Sequence, residues 1–127
     1  MDYQALFENW EDLREVHAGD TVFAEGDRAD CMYFVLDGEI ELRRHGEPTS
    51  LEGPGGIIGE SALLGGAHSG NAVARSDARL ARLDRDQLET LAEDNAEFAL
   101  QVMAALAKRL RTVDAYISAG LRADKND

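Results

Sequence analysis

Through residue 84 the chain is apolar only in short bursts, separated by turn-forming residues. HAGD (17–20), EGD (25–27), DG (37–38), HGEP (45–48) and EGPGG (52–56) punctuate it, followed by LLGGAHSG and RSDAR. Clusters of Gly, Asp, Ser and Pro favour turns, and strands at such short intervals predict an all-β sandwich or barrel. In CMYFVLDGEIELRR, Asp37-Gly38 fits the two-residue type I′ turn of a hairpin. Beyond it Ile40 and Leu42 alternate with Glu39, Glu41 and Arg43, which predicts a strand with one buried and one wet face. CMYFVL is apolar on both faces and predicts a strand enclosed by the domain.

After residue 84 the apolar period lengthens. Asp84 precedes RDQLETLAED with Gln87 three residues on, the pattern of a capping box. Asp94 and Glu97 repeat the signal before FALQVMAALAKRLRTVDAYISAGL. There Met103, Leu106, Leu110, Val113 and Ile117 recur at spacings of 3, 4, 3 and 4, an a/d seam. Phe98, Val102 and Leu106 fit a helix that closes the barrel. Val113, Ile117 and Leu121 run on past that contact, and an apolar stripe left in water predicts a parallel helix pair in a homodimer. YQALFENW predicts a short helix against the barrel, and Gly120 with RADKND is expected to end the ordered part. The expected organisation is one domain over 1–127, with a β-barrel over about 10–84 and helices over about 85–120.

Composition narrows the function classes. The 127 residues suffice for a single core without staples. Cys31 is the only cysteine, so no internal disulfide forms, and a reducing, cytoplasmic location is expected. No run approaches the roughly 20 apolar residues of a membrane span. A net charge of −12 opposes nucleic acid and anionic membranes as partners. Lys108, Arg109 and Arg111 form a small basic group in AKRLR, and their alternation with the apolar stripe reads as a solvated helix face. Enzymatic chemistry finds no support: His17, His45 and His68 lie in separate turns without a metal-ligand pattern. Cys31 begins an apolar strand, and Ser61 lacks the context of a nucleophile.

The run VHAGDTVFAEGDRADCMYFVLDGEIEL, continuing through GPGGIIGESALLGG to ARLARLDRDQLETLAEDN, resembles the cyclic-nucleotide-binding domain of catabolite-activator-type regulators and cyclic-nucleotide-dependent kinases. Gly19, Asp20, Gly26, Asp27, Tyr33, Gly38 and Leu42 stand at that family's characteristic places. The resemblance implies a jelly-roll barrel with a short N-terminal and a long C-terminal helix. It also implies that GESALLGGAHSGNAVA (59–74) is a phosphate-binding cassette. Gly59 would allow close backbone approach, Glu60 would accept from a ribose hydroxyl, and the N–H groups of Ser61, Ala62 and Leu63 would face an anion. Ser69 stands where the family has an arginine, with His68 before it and Gly70 offering its N–H. Ala72 stands where cyclic-GMP-selective members carry a hydroxyl.

Without the arginine, a charged hydrogen bond worth roughly 1.5–3 kcal/mol is lost, and an unpaired buried charge costs about 3–5 kcal/mol. Affinity is therefore expected to fall by about one to more than three orders of magnitude. Arg75 and Arg79 lie further along and would need a rearranged loop to compensate. The expectation is a non-catalytic regulatory or sensor module with weak or altered binding of cyclic AMP or another nucleotide-like effector. A ligand-independent dimeric module for an unknown protein partner is the alternative, and an authentic cyclic-AMP-binding protein the third reading.

Overall fold

The computed structural model describes the backbone of residues 2–125 and the side chains of residues 2–111. Helix α1 (Tyr3–Leu6) opens the chain, capped by the Asp2 carboxylate, which accepts from the Ala5 N–H. Among the described residues eight strands follow: β1 (Leu13–Val16), β2 (Thr21–Phe23), β3 (Met32–Asp37), β4 (Ile40–Arg44), β5 (Glu47–Glu52), β6 (Ile57–Ile58), β7 (Asn71–Ala74) and β8 (Ala78–Leu83). A 3-10 turn over Glu60–Leu63 joins β6 to the loop before β7, and α2 (Arg85–Asp94) and α3 (Ala96–Lys125) complete the chain. The strands form two antiparallel sheets, ordered β1-β8-β3-β6 and β2-β7-β4-β5. The fold is mainly β, a jelly roll with a long C-terminal helix.

Two apolar clusters hold it together. Val35, Ile40, Ile58, Ala72, Ala74 and Leu80 form one of them. Phe7, Met32, Phe34, Leu83, Leu88, Phe98 and Val102 form the other, which docks the helices. The Phe7 ring lies 5.1 Å from that of Phe34 and 5.9 Å from that of Phe98. Full burial of a side chain such as Phe98 contributes about 1.5–3 kcal/mol. Trp10 meets Phe7 edge-on at 5.2 Å, and its Nε1–H donates to the Arg82 carbonyl at 2.7 Å. Phe98 and Val102 are buried and Leu106 packs against the same cluster, as their spacing predicts.

Four expectations need correction. First, Asp37-Gly38 does not close a hairpin: β3 pairs with β6 and β8, whereas β4 pairs with β5 and β7. The chain crosses between sheets there, with Gly38 at φ +83° and no room for a Cβ, which would lie 2.3 Å from the Asp77 carbonyl oxygen. The type I′ hairpin is β4–β5, whose turn residues His45 (φ 54°) and Gly46 (φ 80°) are both left-handed. Second, Glu41 is not on a wet face. It is buried, accepting from Arg43 Nη2 at 2.6 Å with Arg75 Nη1 at 3.8 Å. Third, Asn95 rather than Asp94 caps α3, its side chain accepting from the Phe98 N–H at 3.0 Å. Fourth, α3 continues through Gly120 to Lys125, because one helical glycine costs only about 1 kcal/mol. The capping box at Asp84 and Gln87 forms as expected.

Candidate functional site

Residues 59–74 are fixed in place by the β2–β3 connection. The His68 N–H donates to the Asp27 carbonyl at 2.8 Å, the Gly26 N–H to the His68 carbonyl at 2.9 Å, and the Ala29 N–H to the Gly66 carbonyl at 2.8 Å. Gly59 begins the 3-10 turn at φ +77°, a left-handed conformation that suits glycine. Gly70 has a different requirement: a Cβ there would lie 2.4 Å from the Arg43 carbonyl oxygen, so only glycine lets the loop close on β4.

The loop walls a cavity of about 560 Å³, within the range of small-molecule sites. Gly59, Glu60, Ser61, His68, Ser69 and Gly70 all line it. Ala62 and Ala72 do not. Ala62 belongs to the helix-docking cluster, and its N–H donates to the Gly59 carbonyl at 3.1 Å, so that donor is already used within the turn. Ala72 is fully buried in the other cluster. Opposite the loop stands the β4–β5 hairpin, with Arg43, Arg44, His45, Glu47 and Thr49 on the cavity wall.

His68 is buried and stacks on Phe23, with ring centroids 3.8 Å apart and planes 14° from parallel. Burial holds its pKa below the ordinary imidazole value, outweighing the opposite pull of Asp27, Glu60 and Asp30. It is a neutral aromatic wall at pH 7 rather than a replacement cation. Arg75 and Arg79 point elsewhere, Arg75 towards Glu41 and Arg79 to the Gln4 side chain at 3.0 Å.

The cavity's buried cation comes from the helix. Arg109 is not part of a solvated helix face: its side chain is only 10% exposed and lines the cavity. Its Nη1–H donates to Glu60 Oε2 at 2.6 Å, its Nε–H to Glu52 Oε1 at 3.2 Å, and its Nη2–H to the Ile57 carbonyl. A guanidinium can satisfy three such acceptors at once because its donors form a rigid planar fork. Lys108 and Arg111 do stand on an exposed face, as expected. Sequence reasoning missed Arg109 because its partners lie on β5, β6 and the 3-10 turn. The only local signal was Arg109 following the core-facing Leu106 by three residues, about one helical turn. On its far side Arg109 also borders a second cavity of about 420 Å³, between the Gly53–Gly56 loop and α3.

The a/d seam divides. Leu106 faces the core, whereas Met103 and Leu110 are 57% and 62% exposed, joined by exposed Leu100. Val113 and Ile117 lie outside the residues whose side chains are described. Among the described residues no helix is long and apolar enough to cross a membrane, and no group of three or more side chains is placed to hold a metal ion.

Residues 13–95 match the model of the cyclic nucleotide-binding domain. The chain belongs to that family. A "CRP-like cAMP-activated global transcriptional regulator" of Mycobacterium tuberculosis is 30% identical over 99 residues, covering 73% of this chain and 44% of that protein. The "Cyclic AMP receptor protein" of Thermus thermophilus is 36% identical over 102 residues, covering 76% and 47%. The crystal structure of the Thermus thermophilus catabolite activator protein superposes with a TM-score of 0.69 at 32% identity, over 85% of this chain and 54% of that one. The chain therefore spans about half the length of these relatives, and the family match runs from the start of β1 to the end of α2.

Proposed function

We infer that this domain is a non-catalytic sensor for a phosphate-bearing, nucleotide-like ligand. Binding is weaker than in members with an arginine in place of Ser69, and occupancy is relayed to α3. One observation carries this reading: the cavity wall contains both the cassette and Arg109, so a ligand meeting Glu60 necessarily disturbs a contact that anchors α3. Relatives named for cyclic AMP make an adenine nucleotide the first candidate. Ala72, buried between strands, offers no hydroxyl that would favour guanine. Through the exposed side chains of Leu100, Met103 and Leu110, α3 would meet a second copy of the chain.

A second reading has its own support. Glu60, the expected ribose acceptor, is already engaged by Arg109, and a cavity so arranged also suits a dimeric interaction module that needs no ligand. The two separate in a thermal melt of the protein with cyclic AMP, cyclic GMP, linear nucleotides and cyclic dinucleotides up to millimolar concentration. A ligand that binds only the folded state raises Tm. The sensor reading expects a rise with at least one cyclic nucleotide, and a flat response across the panel overturns it in favour of the ligand-independent module.

A further inference from the structure

The cations on the cavity wall are not equivalent. Arg109 is held by Glu52 and Glu60, and Arg43 by Glu41 at 2.6 Å. Arg44 is exposed and, among the described residues, forms no ion pair. Glu47, its cross-strand partner in the hairpin, is the nearest carboxylate along the register. Of the three arginines on this wall, Arg44 is thus the one that, among the described residues, is in no ion pair, in a chain of net charge −12.

Its position is set by the strand register. Arg43 pairs with Asn71, so the next antiparallel step places Arg44 opposite Gly70, the neighbour of Ser69. The backbones meet there: a Cβ at Gly70 would lie 2.4 Å from the Arg43 carbonyl oxygen and, at ordinary contact distance, 3.9 Å from the Arg44 Cα. A guanidinium carried by residue 44 therefore stands across one strand pairing from the backbone that would have carried one at residue 69. Arg44 also lines the same cavity as Ser69 and Gly70.

We propose that Arg44 is the anion-contacting residue of this cavity, holding the phosphate of a bound nucleotide from β4 where the cassette itself offers only Ser69. This rests on the reading that a phosphate-bearing ligand enters. A planar guanidinium can grip two phosphate oxygens at once. Because Arg44 is exposed and must be ordered on binding, its gain is smaller than that of a buried arginine.

The test is calorimetric titration of cyclic AMP and of adenosine, which lacks the phosphate, into the full chain and four variants: Arg44→Gln, Ser69→Arg, the two combined, and Arg75→Gln. Arg44→Gln should weaken cyclic AMP about 10- to 100-fold and leave adenosine unchanged. Ser69→Arg should restore cyclic AMP in the Arg44→Gln background, and Arg75→Gln should have no effect. Unaltered cyclic AMP affinity in Arg44→Gln, or equal losses for both ligands, overturns the role of Arg44 while leaving the sensor reading intact. If only Ser69→Arg proteins bind cyclic AMP, Arg44 is no substitute and the cavity is competent but unused. If none of the proteins binds either ligand, the sensor reading falls with it.

Discussion

Arg109 on the terminal helix and Glu60 on the cassette meet at 2.6 Å although 49 residues separate them in sequence. Arg109 donates in parallel to Glu52 and the Ile57 carbonyl, so one guanidinium fastens α3 to β5, to the end of β6 and to the 3-10 turn. The three acceptors are not equal. The Glu52 side chain is 15% exposed and that of Glu60 42%, so loss of the cation falls hardest on Glu52.

Arg109→Met is expected to destabilise by about 2–4 kcal/mol, since it strands a nearly buried carboxylate. Glu60→Gln is expected to cost at most about 1 kcal/mol, as for a solvent-screened pair. Urea denaturation of both variants checks the ranking. An equal or reversed order would place the main anchor at Glu60.

Gly38→Ala should destabilise the fold by about 1–3 kcal/mol or more, through the left-handed backbone and the clash its Cβ would make with the Asp77 carbonyl oxygen. Gly46→Ala, at a turn with nothing within 4 Å of the added carbon, carries only the backbone term. Thermal melts of the pair should therefore separate clearly, and matched losses would refute steric crowding at the sheet crossing.

Stability should fall as pH drops below 6.5, and His68 should be a cause. Its folded pKa is depressed, so within a window just below 6.5 the unfolded chain binds more protons than the folded one. The stabilisation from a neutral His68 is complete above that window and is lost as pH falls to the folded pKa. Asp12, whose pKa is lowered first by Arg14 and also by Arg82, contributes in the same direction only in the carboxylate range. His68→Gln should flatten Tm against pH in the window just below 6.5, while leaving the acid limb unchanged. An unaltered slope would assign it to other groups.

Met103→Asp and Leu110→Asp should yield monomers in sedimentation equilibrium, with a Tm that no longer depends on protein concentration, if the exposed stripe is the subunit contact. Leu106→Asp should instead lower Tm by burying a charge in the helix-docking cluster. An unaltered mass in the first two variants would exclude this stripe as the dimer seam.

Patterns carried by neighbouring residues were legible in the sequence. The short strands, the capping box at Asp84, and the inward stripe of Phe98, Val102 and Leu106 all follow from local period and cap chemistry. The cassette's Gly59, Glu60 and Ser69 were located by family resemblance, and all three line the cavity. What escaped depends on residues distant in the chain. Asp37-Gly38 has the composition of a tight hairpin, but the partners of β3 and β4 lie in β8 and β7, and those pairings decide which sheet each strand joins. Glu41 looked solvated because Arg75, which helps enclose it, comes from the far side of the cassette. Arg109 looked solvated because nothing near it in sequence foretells two carboxylates and a carbonyl arriving from the barrel.

Trp10, the only tryptophan in the chain, is tied to the β8 backbone through Arg82 and to the aromatic cluster through Phe7, and it takes no part in the cavity wall. The molecule thus carries an optical reporter seated away from the place where a ligand would bind. A ligand held in the cavity would not touch the indole, so a change in its emission on titration would point to strain propagated through the barrel. Silence, beside a measured binding heat, would mean that the event stays local to the mouth and the helix.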